Sequence, residues 1–228
     1  MIDFDLADQT IRDVNAALHA LAGGSKKSVR IANPNGKHAL AAGLDAPLDV
    51  LIEGHVGYYC AGMNKAASVT VHGSAGVGVA ENMMSGRVHI KGDVSQSAGA
   101  TAHGGLLIVD GNASARCGIS MKGIDIVVKG NVGAMSAFMG QAGRMIVLGD
   151  AGDALGDSLY EAKLFVRGSV KSLGADCEEK TMTDDLGDEL REVLALAGLD
   201  RELSASDFTA YGSARRLYNF NIDNAGSY

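Results

Sequence analysis

Six histidines and three cysteines are the residues of this chain best suited to hold a metal, relay a proton or attack a carbonyl. His19, His38, His55, His72, His89 and His103 are spread singly along the chain, and no two share the spacing of a zinc site or of a nucleophile with its base. Cys60, Cys117 and Cys177 lack the clustering that an iron–sulfur centre needs. Ile2 follows the initiator Met1, so no N-terminal cysteine nucleophile is expected. The run Gly73-Ser74-Ala75-Gly76-Val77-Gly78 suggests a phosphate loop, but a dinucleotide fingerprint must follow a strand and open a helix, with an acidic residue further on. Here another copy of a repeat begins instead. The reading is therefore no catalytic residue, no bound cofactor and no metal ligand in this chain.

That repeat is the element that positions everything else. Gly54, Gly73, Gly92, Gly111, Gly130, Gly149 and Gly168 stand 19 residues apart. Seventeen residues after each glycine come Val71, Ile90, Val109, Val128, Val147 and Val166, and two residues earlier Val69, Val88, Leu107, Ile126, Met145 and Leu164. Aliphatic residues two apart, most of them β-branched, mark a strand that buries one face. One such strand per 19 residues is too short a unit for a strand plus helix, and it fits one coil of a parallel β-helix. The next position holds His55, Ser74, Asp93, Asn112, Asn131, Asp150 and Ser169, short polar side chains expected to bond their own backbone at a corner. Seven residues after the glycine no side chain exceeds a methyl (Ala61, Ala80, Gly99, Gly118, Ala137, Gly156), which implies a crowded line where backbone from opposite walls meets. At ~4.8 Å per strand, the six intervals stack to roughly 29 Å.

The fold class is thus an all-β core, a right-handed parallel β-helix of about seven 19-residue coils with short helical extensions at both ends. Residues 1–44 are expected to form an N-terminal cap, 45–175 the β-helix and 176–228 a C-terminal helix and arm. In this register Cys60 and Cys117 lie three coils apart, roughly 14 Å, too far for a disulfide or a shared metal. They read as buried thiols, and Met83, Met84, Met121, Met135 and Met139 as fillers of uneven core.

The outward columns differ. His72, Lys91, Asp110, Lys129, Leu148 and Arg167 form a mostly charged ladder. Thr70, His89, Ile108, Val127, Ile146 and Phe165 turn apolar over the last four coils and need a cover, either a terminal helix of the same chain or another subunit. Residues 7–22, with Ile11, Val14, Leu18 and Leu21 before Gly23-Gly24, predict an amphipathic helix, and Asp184 to Ala197 predicts a second. The segment from Ser204 to Tyr228 concentrates aromatic residues and arginine, as interface cores do. It reads as an arm docked on the prism or on another subunit, with Arg215, Arg216, Tyr218 and Phe220 as candidate interface contacts.

Composition sets outer limits. A formal net charge of −7 argues against nucleic acid, and no apolar run approaches the ~18 residues of a membrane span. The N-terminus lacks the basic and apolar regions of a signal peptide, so a cytoplasmic location is expected.

The tandem Val127-Val128-Lys129-Gly130-Asn131-Val132-Gly133 and Val147-Leu148-Gly149-Asp150-Ala151-Gly152 resembles the GXGXG β-helix domain over about residues 45–175. That domain closes the large chain of glutamate synthase, and it also forms the β-helix subunit of formylmethanofuran dehydrogenase and of the related formyltransferase/hydrolase complex. A free-standing version with a helical lead-in and an aromatic arm most resembles the glutamate-synthase-like subunit of N-methylglutamate synthase (methylamine–glutamate N-methyltransferase). The resemblance implies a scaffold subunit without catalytic residues. Its implied partners are an amidotransferase-like subunit and a synthase subunit that carries FMN and an iron–sulfur cluster, and the implied complex makes N-methylglutamate and ammonia from methylamine and glutamate. The alternatives are the β-helix subunit of a formyl-transferring complex and a stand-alone β-helix acyltransferase or binding protein.

Overall fold

The structure, a computed structural model, describes residues 1–21 and 27–217. In chain order its elements are β1 (Ile2–Asp5), α1 (Ile11–Ala20), β2 (Lys27–Ala32), β3 (Leu48–Glu53), β4 (Ser68–Val71), β5 (Arg87–Ile90), β6 (Leu106–Val109), β7 (Lys122–Val128), β8 (Ala142–Val147), β9 (Lys163–Val166), β10 (Cys177–Lys180), α2 (Asp184–Ala197) and β11 (Thr209–Ser213). Strands β1 to β9 pair in parallel in that order. The result is an all-β parallel β-solenoid of about seven turns with two short helices.

Two inward columns explain the stacking. Val50, Val69, Val88, Leu107, Ile126, Met145 and Leu164 face one another on successive strands, and so do Ile52, Val71, Ile90, Val109, Val128, Val147 and Val166. All are at most 1% exposed. Each such side chain contributes roughly 2 kcal/mol of burial, an upper figure because the unfolded chain is itself partly collapsed. A third column, Val56, Ala75, Val94, Ala113, Val132, Ala151 and Val170, alternates large and small and bridges every coil to the next.

The corner is built differently from the local turn expected. The polar residue after each glycine accepts a hydrogen bond from the backbone of the next coil: Asn131 N–H to Asn112 Oδ1 (2.9 Å), Asp150 N–H to Asn131 Oδ1 (2.8 Å), Ser169 N–H to Asp150 Oδ1 (2.7 Å). The ladder begins with His55, whose Nδ1 accepts from Ser74 N–H at 2.9 Å. These bonds explain the glycines. A Cβ on Gly130 would lie 2.5 Å from Asn112 Oδ1 and 2.7 Å from the Gly111 carbonyl oxygen, so the coils approach too closely for any side chain.

The return wall between corners is not a strand. In six successive coils the residues five, seven and nine after the glycine adopt left-handed φ, for example Tyr59, Ala61 and Met63 (60°, 52°, 55°) and Met135, Ala137 and Met139 (56°, 58°, 53°). Their N–H groups reach alternately to opposite neighbours: Tyr59 to Val77 O and Met63 to Glu81 O in one direction, Ala61 to Leu40 O in the other. Each left-handed non-glycine residue costs roughly 1–2 kcal/mol, offset here by satisfied backbone groups. The small seventh position faces inward, but strand side chains crowd it, not opposing backbone as expected. A Cβ on Gly118 would meet Met145 Cε at 2.6 Å, and one on Gly99 would meet Ile126 Cδ1 at 2.9 Å.

The ladder runs past residues 45–175 at both ends. Val29 pairs with Val50 and Ile2 with Val29, steps of 21 and 27 residues that break the 19-residue period. Helix α1 lies within the longer step. Thr10 caps it by accepting from Asp13 N–H, and it buries Val14 and Leu18. Asn15 pins it to the first coil, donating to Ala39 O (2.8 Å) and accepting from Ala41 N–H (2.9 Å). At the other end β11 inserts antiparallel between β9 and β10, closing the sheet edge.

Candidate functional site

The outward apolar column is covered by the chain's own helix. Ile108, Val127, Ile146 and Phe165 form one buried cluster with Leu190, Val193 and Leu194 of α2, together with Leu199 and Phe208. Thr183 caps α2 by accepting from Leu186 N–H, and Gly198 (φ 74°) ends it in a left-handed turn. Ion pairs fasten the margin. Arg144 binds Asp125 with both Nε (2.8 Å) and a terminal nitrogen (2.7 Å) and reaches Glu192 at 2.6 Å, while Lys163 holds Glu189 at 2.5 Å. The Asp125 bond is foremost in raising the Arg144 pKa further above its ordinary value.

On the neighbouring coils Asp110 gathers three cations: Lys129 (2.8 Å), His89 Nε2 (3.0 Å) and Lys91 (3.2 Å). Burial raises the Asp110 pKa, but bonds from Lys129, His89 and Lys91 outweigh it and hold the carboxyl down at about 2. Burial lowers the His89 pKa, against the Asp110 contact. The pair resembles a base and its orienting carboxylate. No serine, threonine or cysteine bonds to His89 among the described residues, so the nucleophile of a triad is not supplied.

The other chemistry-bearing side chains are engaged in the scaffold. His38 stacks on Tyr58 (centroids 4.1 Å apart) and accepts from Tyr58 N–H at Nδ1, and His19 Nε2 contacts Ala42 O at 3.1 Å. Cys60 and Cys117 are buried separately, and burial pushes both thiols up to about 12, far from a reactive thiolate. Half-buried Cys177 is pushed up to about 12 as well, chiefly by burial. The amides of the glycine-rich 73–78 run are taken by neighbouring coils, as in Ala75 N–H to Asp93 O and Gly78 N–H to Gln96 O. No group of three or more His, Cys, Asp or Glu converges among the described residues. Of the methionines, Met83 and Met121 do fill core, whereas Met84 is exposed and Met135 and Met139 lie half-exposed on the return wall.

The arm folds back on its own prism as far as residue 217. Arg215 pairs with Glu161 (2.9 Å), and Arg216 approaches Glu178 (3.7 Å) while its N–H donates to Asp176 at 2.8 Å. Arg215 borders a cavity of about 320 Å³ with Tyr160, Lys163, Lys180 and Tyr211. Both arginine heads are exposed and make only surface pairs, which contribute little to folding. Tyr218 and Phe220, the other candidate contacts, lie outside the described residues. What the arrangement offers is a rigid prism with polar faces and capped ends. No helix of the described residues is long and apolar enough to cross a membrane.

Comparison with known proteins finds Protein GlxC of Rhizobium meliloti (strain 1021), 63% identical over 225 residues that cover 98% of each chain. No family model matches the chain.

Proposed function

The chain belongs to the GlxC family, and from that premise we propose that it is a non-catalytic scaffold subunit of a glutamate-synthase-like complex, specifically an N-methylglutamate synthase. In this reading it holds an amidotransferase-like subunit and an FMN- and iron–sulfur-bearing synthase subunit in register. The assembly converts methylamine and glutamate to N-methylglutamate and ammonia in the cytoplasm. The observation that carries the scaffold role is how the titratable and polar side chains are engaged. His55 and the ladder from Ser74 to Ser169 join coil to coil, and Arg144 and Lys163 fasten α2. The resemblance of the 19-residue repeat to the β-helix that closes glutamate synthase supports the choice of complex.

The test is affinity purification of the full chain from its native source, with identification of its partners and an absorption spectrum. Recovery of an amidotransferase-like chain and a yellow, flavin-containing synthase chain is the expected result. A colourless assembly with an amidohydrolase-like chain would assign the formyl-transfer complex instead. Turnover of methylamine and glutamate by the isolated chain would refute the scaffold role outright.

A further inference from the structure

The return wall lies opposite the face covered by α2, and no helix of the described residues covers it. Its outward residues are those four, five, eight and nine after each glycine. Tyr58, Met63 and Val77 are about half exposed there, and Ile119, Met135 and Phe138 are partly exposed. The last three belong to neither buried cluster, so they do not serve the core. Such a strip is the kind of apolar surface that marks a contact site, and methionine adapts well to a partner's shape.

Backbone strain is an independent sign. Tyr59, Met63, Arg116, Met135 and Met139 point outward from left-handed positions, with φ between 53° and 60°. Glycine would be unstrained there, and the chain uses it at the equivalent Gly78 (φ 69°). Large side chains kept at strained, outward positions that glycine can fill serve something other than folding.

The border tells what kind of partner fits. The next outward column, eleven residues after the glycine, carries Lys65, His103 and Lys122, all exposed. Lys65 and Lys122 pair with no carboxylate among the described residues. A cationic edge beside an apolar strip complements an apolar ridge flanked by Asp or Glu.

We propose that this wall is the docking surface for a partner subunit that presents an apolar ridge bordered by carboxylates, a reading that rests on the scaffold role above. The experiment assembles the full chain with the amidotransferase-like and synthase subunits and compares hydroxyl-radical oxidation of Met63, Met135 and Met139 in the free and assembled chain. Two variants accompany it, Met135→Gly with Met139→Gly, and Lys122→Glu, with Lys91→Glu on the α2 side as control. Expected are methionines protected in the complex and association weakened at least about tenfold in the double variant, whose backbone strain is relieved and whose thermal midpoint stays near the parent's. Lys122→Glu should weaken association with a reduced salt dependence, and the control should not.

A complex that forms with its methionines as reactive as before, or that tolerates both variants, overturns the docking surface and leaves the scaffold role standing. Failure of the parent chain to join either subunit overturns both. Self-association of the isolated chain that disappears in the double variant would make the occupant a second copy and overturn the proposal. Should the double variant unfold, the footprint and Lys122→Glu still decide.

Discussion

Alanine at Gly130 tests the close approach of coils on which the fold rests. Its φ lies outside the left-handed region, so any cost comes from space. The added methyl would sit 2.5 Å from Asn112 Oδ1, 2.7 Å from the Gly111 oxygen and 2.9 Å from the Gly111 carbonyl carbon. Two of these atoms are backbone and cannot turn aside. Overpacking of this kind costs ~2 kcal/mol, and displacing the Asn112 oxygen from Asn131 N–H (2.9 Å) adds about 1 kcal/mol. The expected loss is about 3 kcal/mol, a fall in midpoint of roughly 6–12 °C for a chain of this size. Asn112→Ala alone should cost about 1 kcal/mol. In the double variant the side-chain clash is gone and the backbone clash remains, so the two costs should add to less than their sum. Gly198→Ala is the opposite control: nothing lies within 4 Å, and its φ of 74° costs about 1 kcal/mol through the backbone alone. Urea unfolding followed by far-ultraviolet circular dichroism measures all four. Gly130→Ala within ~0.5 kcal/mol of the parent, or strict additivity with Asn112→Ala, would refute the argument that glycine is demanded by the neighbouring coil.

Three further outcomes follow from the same geometry. Phe165→Ala, beneath α2 and fully buried, should cost about 3–5 kcal/mol, and limited proteolysis should then cut within residues 184–197 before the coils; protection of that helix would contradict its anchoring on Phe165. Asp110, held at about 2 in the fold, stabilises the protein fully above about pH 4, and the contribution, about 2 kcal/mol, is lost as pH falls toward 2. Asp110→Asn should flatten that part of the stability profile, and an unchanged profile would remove Asp110 as its source. Thiol reagents at pH 8 should leave Cys60 and Cys117 unmodified in the native protein and label them on denaturation, so rapid native labelling of either would contradict their burial.

The solenoid was legible in the chain because each coil repeats one local problem. A strand buries alternate residues, so Val71, Ile90 and Val109 recur in step with the glycines, and the period of 19 becomes the strand register. Helix α2 was legible from Asp184 to Ala197 for the same reason, a periodic apolar face between a polar cap and a glycine. The first turns were not, because steps of 27 and 21 residues erase the period while the hydrogen-bonded pairing persists. Nor could the sequence say whether α2 or another subunit covers Phe165, since that contact joins segments far apart in the chain.

What the residues determined alone is the stacking unit, its inward columns and the need for a cover. What only the tertiary structure decided is where the polar corner residues point and which backbone turns left-handed. Asn112 could bond its own turn or the coil above, and the coil above wins because stacking brings Asn131 N–H, a donor that must be satisfied, to 2.9 Å from its side-chain oxygen. Met135 could fill core or face outward, and a left-handed backbone set by bonds to adjacent coils turns it to the surface.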